Sequence, residues 1–314
     1  MFPNHIDSYE VSECLVFHDE HKEQLWAHCL FFVPFKEIDR LYKELYCIRK
    51  RYKCVDKKFH FNDISGRKFC RKDGSYAIRE WIFVAVDAMR SKNTTIFKPP
   101  LKCKMGVIFF PPPSQFNIKL YMGTTDEKKL RYFETVLRML LKGCANFLYS
   151  PFQKLIIKGI ITDGEPWQRP LSKTRILDAL KQELRDNIEI APDAVIEALN
   201  SDHDASDCTD PIKANILQLT DLLLGSVIEV CYQQPNQRPK KWQIAQPVKE
   251  MLDKRKRGSN FQYSGHYKSF ALTRALPRKR GGWDFDSLET KEIIYDPTTG
   301  QLTLEELQIE EVDI

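Results

Sequence analysis

Three aspartates stand where apolar neighbours make a charge costly. Asp19 closes the run Cys14-Leu15-Val16-Phe17. Asp163 closes Leu155-Ile156-Ile157-Lys158-Gly159-Ile160-Ile161-Thr162. Asp221 lies inside Ile216-Leu217-Gln218-Leu219-Thr220-Asp221-Leu222-Leu223-Leu224-Gly225. An ionised carboxylate in such surroundings must be paired, hydrogen-bonded or bound to a metal. Two carboxylates at strand ends and one on a buried helix point to a shared metal cluster. Hard oxygen donors of this kind suit Mg2+ or Mn2+.

Each aspartate also has a plainer reading. Asp19 and Asp163-Gly164 fit strand-ending turns. Asp221 is too far along its helix to be an N-cap. Asn215, Gln218 and Asp221 recur every third residue and make a narrow polar stripe on an apolar helix, followed by Gly225. Such a stripe faces either a buried hydrogen-bond network or an active site.

The elements that must position these residues alternate along the chain. Residues 13–19 and 25–33 read as an antiparallel hairpin with Asp19 near its turn. Residues 36–53 and 76–91 have helical spacing of apolar side chains. Residues 104–110 form a buried strand stopped by Pro111-Pro112-Pro113. A long helix follows over 125–149, with Thr124 and Glu127 matching a capping box. Then come a strand over 155–162, an amphipathic helix over 172–189 opened by Ser172, and a short strand over 194–199. Asp210-Pro211 opens the helix that carries Asp221. This alternation predicts an α/β layer structure with partly parallel strands.

An aspartate on the first strand, one after a later strand, and one on a following helix is the arrangement of RNase H-like folds. Phe17-His18-Asp19-Glu20 resembles the Asp-Glu strand motif of the domain-of-unknown-function family numbered 3800. Phe59-His60-Phe61 is similar to that family's histidine motif. Gln218-Leu219-Thr220-Asp221-Leu222-Leu223-Leu224-Gly225 resembles its Gln-Leu-Ala-Asp-Leu helix ending in glycine. The likeness spans roughly residues 10–232. Where the family continues Asp-Glu-Ser-Gly, this chain has Asp19-Glu20-His21-Lys22, and Phe59 precedes the motif histidine. The resemblance implies an RNase H-like nuclease. Asp19 would bridge two metal ions, and Asp163 and Asp221 would each hold one. Gln218 would orient Asp221 or contact substrate. For a fourth ligand, topology suggests Glu127 or Glu134, whereas the resemblance points to the His60–Asp63 segment. His60 also reads as a loop histidine satisfied by its neighbours.

The chain has 314 residues, a formal charge of +5 and 42% hydrophobic residues, an ordinary globular composition. Nine widely spaced cysteines without a C-x-x-C read as reduced thiols and predict a cytoplasmic setting rather than a disulfide scaffold. No signal peptide and no membrane span are expected, because polar residues interrupt even the Asp221 helix.

The composition changes near residue 235. From Pro235 to Phe285 there are thirteen Lys or Arg against three Asp or Glu. Three clusters stand out: Lys240-Lys241, Lys254-Arg255-Lys256-Arg257 and Arg278-Lys279-Arg280. Aromatic residues lie between them, as nucleic-acid binding would use them. A helix from Pro247 whose last turn carries Lys254 to Arg257 would explain one cluster without a ligand. From Asp286 the balance reverses, and 293–304 reads as a hairpin.

The sequence therefore predicts an RNase H-like mixed sheet flanked by helices over residues 1–234, with a basic then acidic extension over 235–314. The expected activity is divalent-metal-dependent cleavage of nucleic acid. The alternative is an inert module of the same fold that binds a protein or nucleic acid.

Overall fold

The first hairpin follows from period-two alternation. In β1 (Glu10–Lys22), Cys14, Val16, His18 and Glu20 point to one face of the sheet, while Leu15, Phe17 and Asp19 point to the other. β1 pairs antiparallel with β2 (Trp26–Pro34), placing Asp19 opposite Cys29. The computed structural model describes residues 10–22, 26–65, 72–110, 125–150, 152–164, 174–232, 238–256, 268–278, 283–287, 293–295 and 302–304.

β2 is followed by α1 (Ile38–Arg51) and α2 (Lys72–Ala88), then by β3 (Lys104–Phe110), which pairs antiparallel with β2. α3 (Thr125–Leu148) leads to β4 (Gln153–Asp163), which lies parallel to β1. A π-helical turn over Thr174–Asp178 runs into the short α4 (Ala179–Glu183). β5 (Ile188–Leu199) then pairs parallel with β4.

The helix expected over 172–189 is thus shorter and the following strand longer. Ile188 and Ile190 already alternate with Glu189 in strand fashion, and the register shifts before Val195, beyond Pro192. The expected start at Ser172 and the capping residue Thr124 lie outside the described residues.

The first five strands stand in the order β5-β4-β1-β2-β3, with β2 alone reversed against its neighbours. This is the RNase H-like sheet, flanked by helices on both faces. The segment after residue 235 adds to it. α5 (Pro211–Tyr232) is followed by α6 (Pro239–Lys256), and β6 (Phe270–Pro277) pairs parallel with β3. β7 (Trp283–Ser287) pairs with β6 and completes seven strands. β8 (Ile293–Tyr295) and β9 (Leu302–Leu304) form a separate antiparallel pair, where a hairpin was expected.

Two apolar cores sandwich the sheet. α1, α2, α5 and α6 cover the face of Leu15 and Phe17, and α3 and α4 cover the face of Cys14 and Val16. Ile244, Val248, Met251 and Leu252 of α6 and Phe270 and Leu272 of β6 belong to the first core. The basic segment is therefore built into the same packing as residues 10–232. α6 begins at Pro239 rather than Pro247, which lies inside it.

α5 is the central helix. Asp210 caps it, its Oδ1 accepting from the Lys213 N–H at 3.1 Å. The helix is long and apolar enough to cross a membrane, but 89% of its most apolar window is buried inside the protein.

Candidate active site

The three aspartates come from three elements that meet at one end of the sheet. Asp19 lies near the end of β1, on the face that α5 covers. Asp163 is the last residue of the adjacent parallel strand β4. Asp221 sits midway along α5, which packs against β1 and β4. All three side chains are half-buried.

Asp163 is firmly held. Its Oδ1 accepts from the Gly164 N–H at 2.9 Å and the Ser201 N–H at 3.2 Å, and its Oδ2 accepts from the Ser201 hydroxyl at 2.9 Å. Asp221 Oδ2 accepts from the Phe61 N–H at 2.7 Å, and its Oδ1 lies 3.6 Å from His60 Nε2. His60 Nδ1 accepts from the Asn62 N–H, which turns Nε2 toward Asp221.

Electrostatics ties the group together. Surrounding protein raises the pKa of Asp19 well above its usual 3.8, and the charges of Asp221 and Asp163 push it the same way. Surrounding protein also raises Asp221, while His60, the Phe61 N–H and Lys58 oppose the shift. Among the described residues, no lysine or arginine forms an ion pair with any of the three aspartates. Neighbouring carboxylates that no lysine or arginine pairs with are the kind of oxygen donors a hard divalent cation takes. The side chains as they stand do not close such a site: among the described residues no three or more His, Cys, Asp or Glu groups are placed to hold a metal ion.

Gln218 was expected to orient Asp221 or touch substrate, and its surroundings leave no room for the second role. Its Oε1 accepts from Arg49 Nη2 at 2.7 Å and from the Phe59 N–H at 2.8 Å. Its Nε2 donates to the Ser201 carbonyl at 2.6 Å and to His203 Nδ1 at 3.0 Å. Two acceptor and two donor positions are the whole capacity of a carboxamide. Gln218 is 1% exposed and braces the Phe59 and Ser201 segments against α5.

His203 supports the same brace in one tautomer. Nε2–H donates to the Val55 carbonyl at 2.7 Å, leaving Nδ1 to accept from Gln218, and burial pushes its pKa down toward that neutral form. Arg49, Ser201 and His203 were missed in the sequence. Arg49 reads there as an ordinary cation in the last turn of a helix, and only its burial in the fold, at 0% exposed, singles it out.

Gly225 explains the glycine that ends the motif helix. A Cβ there would lie 2.6 Å from Phe61 Cβ and closer still to its ring. Phe61 therefore packs directly on the α5 backbone one turn beyond Asp221.

The other candidate ligands lie elsewhere. Glu134 is buried on α3, on the far face of the sheet, where its neighbour Phe133 packs edge-on against His18. The side chain of Glu127 lies outside the described residues.

The basic clusters divide. Lys240 is exposed at the start of α6. Lys241 is 4% exposed, with its ammonium 4.9 Å from the centre of the Phe61 ring. It is thus a packed residue rather than an open phosphate contact. Lys254 and Arg255 stand with Lys256 on the final turn of α6. Arg278 is exposed and pairs with Asp284 at 2.5 Å. Arg257, Lys279 and Arg280 lie outside the described residues.

No family model matches the chain, and no curated protein matches it. Among solved structures, the crystal structure of the ribonuclease H2 from Pyrococcus horikoshii OT3 is similar at 12% sequence identity and a TM-score of 0.32, with 81% of this chain and 96% of that chain covered. At that level the likeness adds nothing to what the strand order already establishes.

Proposed function

We propose that this protein is a divalent-metal-dependent nuclease acting on nucleic acid through Asp19, Asp163 and Asp221. One observation carries the reading. Three carboxylates from distant parts of the chain gather at one end of an RNase H-like sheet, where the charges of Asp221 and Asp163 add to burial in raising the pKa of Asp19, and among the described residues no lysine or arginine is ion-paired with them. Asp19 would be shared by two ions, and Asp163 and Asp221 would each hold one. Mg2+ or Mn2+ bound there would activate water and neutralise charge on a phosphodiester.

The remaining residues hold this arrangement. Ser201 fixes both oxygens of Asp163. The Phe61 N–H fixes one oxygen of Asp221, and His60, its side chain 37% exposed beside the other, is placed to hold or move a proton there. The exposed Lys240 and the sequence clusters Lys254-Arg255-Lys256-Arg257 and Arg278-Lys279-Arg280 would supply phosphate contacts.

Kinship with the domain-of-unknown-function family 3800 belongs to the same reading. Its support is that two motif segments far apart in sequence meet here. The Phe59 N–H reaches Gln218, the Phe61 N–H reaches Asp221, and the Phe61 ring covers Gly225. Eight described cysteines are free thiols, which supports a reducing, cytoplasmic setting.

The inert-module reading is favoured by one fact, that the side chains as they stand do not form a closed metal site. An Asp221→Asn variant separates the two. The amide keeps the shape and still accepts from the Phe61 N–H, but it loses the charge. On single-stranded, duplex and hybrid substrates with Mg2+ or Mn2+, cleavage should fall by about a hundredfold or more, the scale of a lost charge-stabilising group. Cleavage that persists in the variant, or that ignores chelator, would remove Asp221 from the mechanism.

A further inference from the structure

Arg49 is a buried cation without an acidic partner. It is 0% exposed, and among the described residues no carboxylate forms an ion pair with it. Burial lowers its pKa to about 10, so it remains charged at neutral pH. Its guanidinium lies 4.1 Å from the ring centre of Phe59 and 4.5 Å from that of Trp81. Its donors go to neutral oxygens only. Nε donates to Asn215 Oδ1 at 2.8 Å, Nη2 to Gln218 Oε1 at 2.7 Å, and Nη1 to the carbonyls of Cys54 and Lys57.

A stability role alone does not call for this residue, since an apolar side chain of similar volume fills a core without the cost of desolvating a charge. What Arg49 joins is informative. Two of its acceptors are backbone carbonyls of the segment that continues into Phe59-His60-Phe61. The other two are the residues three and six positions before Asp221 on α5. Through Gln218 the same network reaches the Ser201 carbonyl, and Ser201 holds Asp163.

We propose that Arg49 is a positioning residue. It sets the 54–61 segment on α5 so that the Phe61 N–H and His60 meet Asp221, and through Gln218 it fixes the turn that orients Asp163. Its bearing on catalysis rests on the nuclease reading above; its bearing on loop geometry does not. Lysine cannot replace it, because four acceptors lie along the planar fork of a guanidinium and an ammonium has three donors in a different geometry.

The test is amide hydrogen exchange, followed by NMR or mass spectrometry, on the full chain with Arg49→Lys and the milder Asn215→Ala. In Arg49→Lys, exchange at Phe59 and Phe61 should rise at least tenfold, while Val16 and Phe17 in β1 stay as protected as in wild type. Asn215→Ala should move the same two amides by a smaller factor, and it decides the matter if Arg49→Lys does not fold. In cleavage assays kcat should fall at least tenfold with KM little changed. Unaltered protection at Phe59 and Phe61, or equal loss in β1, would overturn the proposal and leave Arg49 a general stabiliser. If the wild type cleaves nothing, the nuclease reading falls and the exchange result still decides the positioning role.

Discussion

Replacing Gly225 with alanine probes the contact that holds the histidine segment on the aspartate helix. On an open helix face the change would stabilise by about 1 kcal/mol, the propensity difference between the two residues. Here the new methyl would stand 2.6 Å from Phe61 Cβ, inside van der Waals contact. Phe61 is 5% exposed and has little room to retreat, so it must lift away from α5. Overpacking of this kind costs about 1–3 kcal/mol. Lifting Phe61 also draws its N–H from Asp221, now 2.7 Å away. A hydrogen bond to a charged group is worth about 1.5–3 kcal/mol, and the half-buried carboxylate places this one at the lower end. Together the terms predict a net loss of roughly 1.5–3.5 kcal/mol. Urea denaturation would show it as a lower midpoint at unchanged slope. A compensating Phe61→Leu change should recover part of the loss, a coupling that a double-mutant cycle reads directly. A Gly225→Ala protein that gains stability and keeps the Phe61 amide protected would refute the claim that this packing seats the segment.

Three further outcomes follow from the charges. Asp19 and Asp221 have folded pKa values raised above their usual 3.8, so their contribution to stability is fully present below that value and is lost as pH rises through the folded values. Metal-free wild type should therefore weaken as pH rises from about 4 toward neutrality, and Asp19→Asn should flatten that slope in denaturation curves measured across pH. Changing Lys254, Arg255, Lys256 and Arg257 together to glutamine should weaken binding across sequences. It should reduce the salt slope on duplex DNA by up to about 3.6, four contacts at about 0.9 each, whereas an unchanged slope would return the turn to a solvated helix end. Lys241→Gln should change the salt slope little, because its ammonium is packed over Phe61 rather than exposed.

Much of the positioning scaffold could be read from local pattern. β3 spans Lys104–Phe110, as its apolar run before three prolines indicates, and Asp210 caps the helix that Pro211 opens. These signals are local and depend on neighbours in sequence. The site's internal wiring is not local. Arg49 and Gln218 are 169 residues apart, and nothing in either neighbourhood announces their bond. The basic segment misleads for a related reason. Ile244, Val248, Met251 and Leu252 mark a buried helix face, but Pro247 interrupts the pattern and surrounding lysines and arginines dominate the composition. Lys241 looks like its exposed neighbour Lys240, and only packing against Phe61 separates them. β5 begins earlier than expected because Pro192 divides its alternation into two registers.

The central claim is that Asp19, Asp163 and Asp221 form one divalent-ion centre, and calorimetric titration of Mn2+ into wild type and Asp19→Asn tests it most directly. Wild type should bind Mn2+ and gain stability with it, by about 2.7 kcal/mol when free ion exceeds the Kd a hundredfold. Asp19→Asn should lose that binding while keeping its fold. Equal uptake by both proteins, or none by wild type, would contradict the account and leave the three carboxylates as a buried network in an inert module.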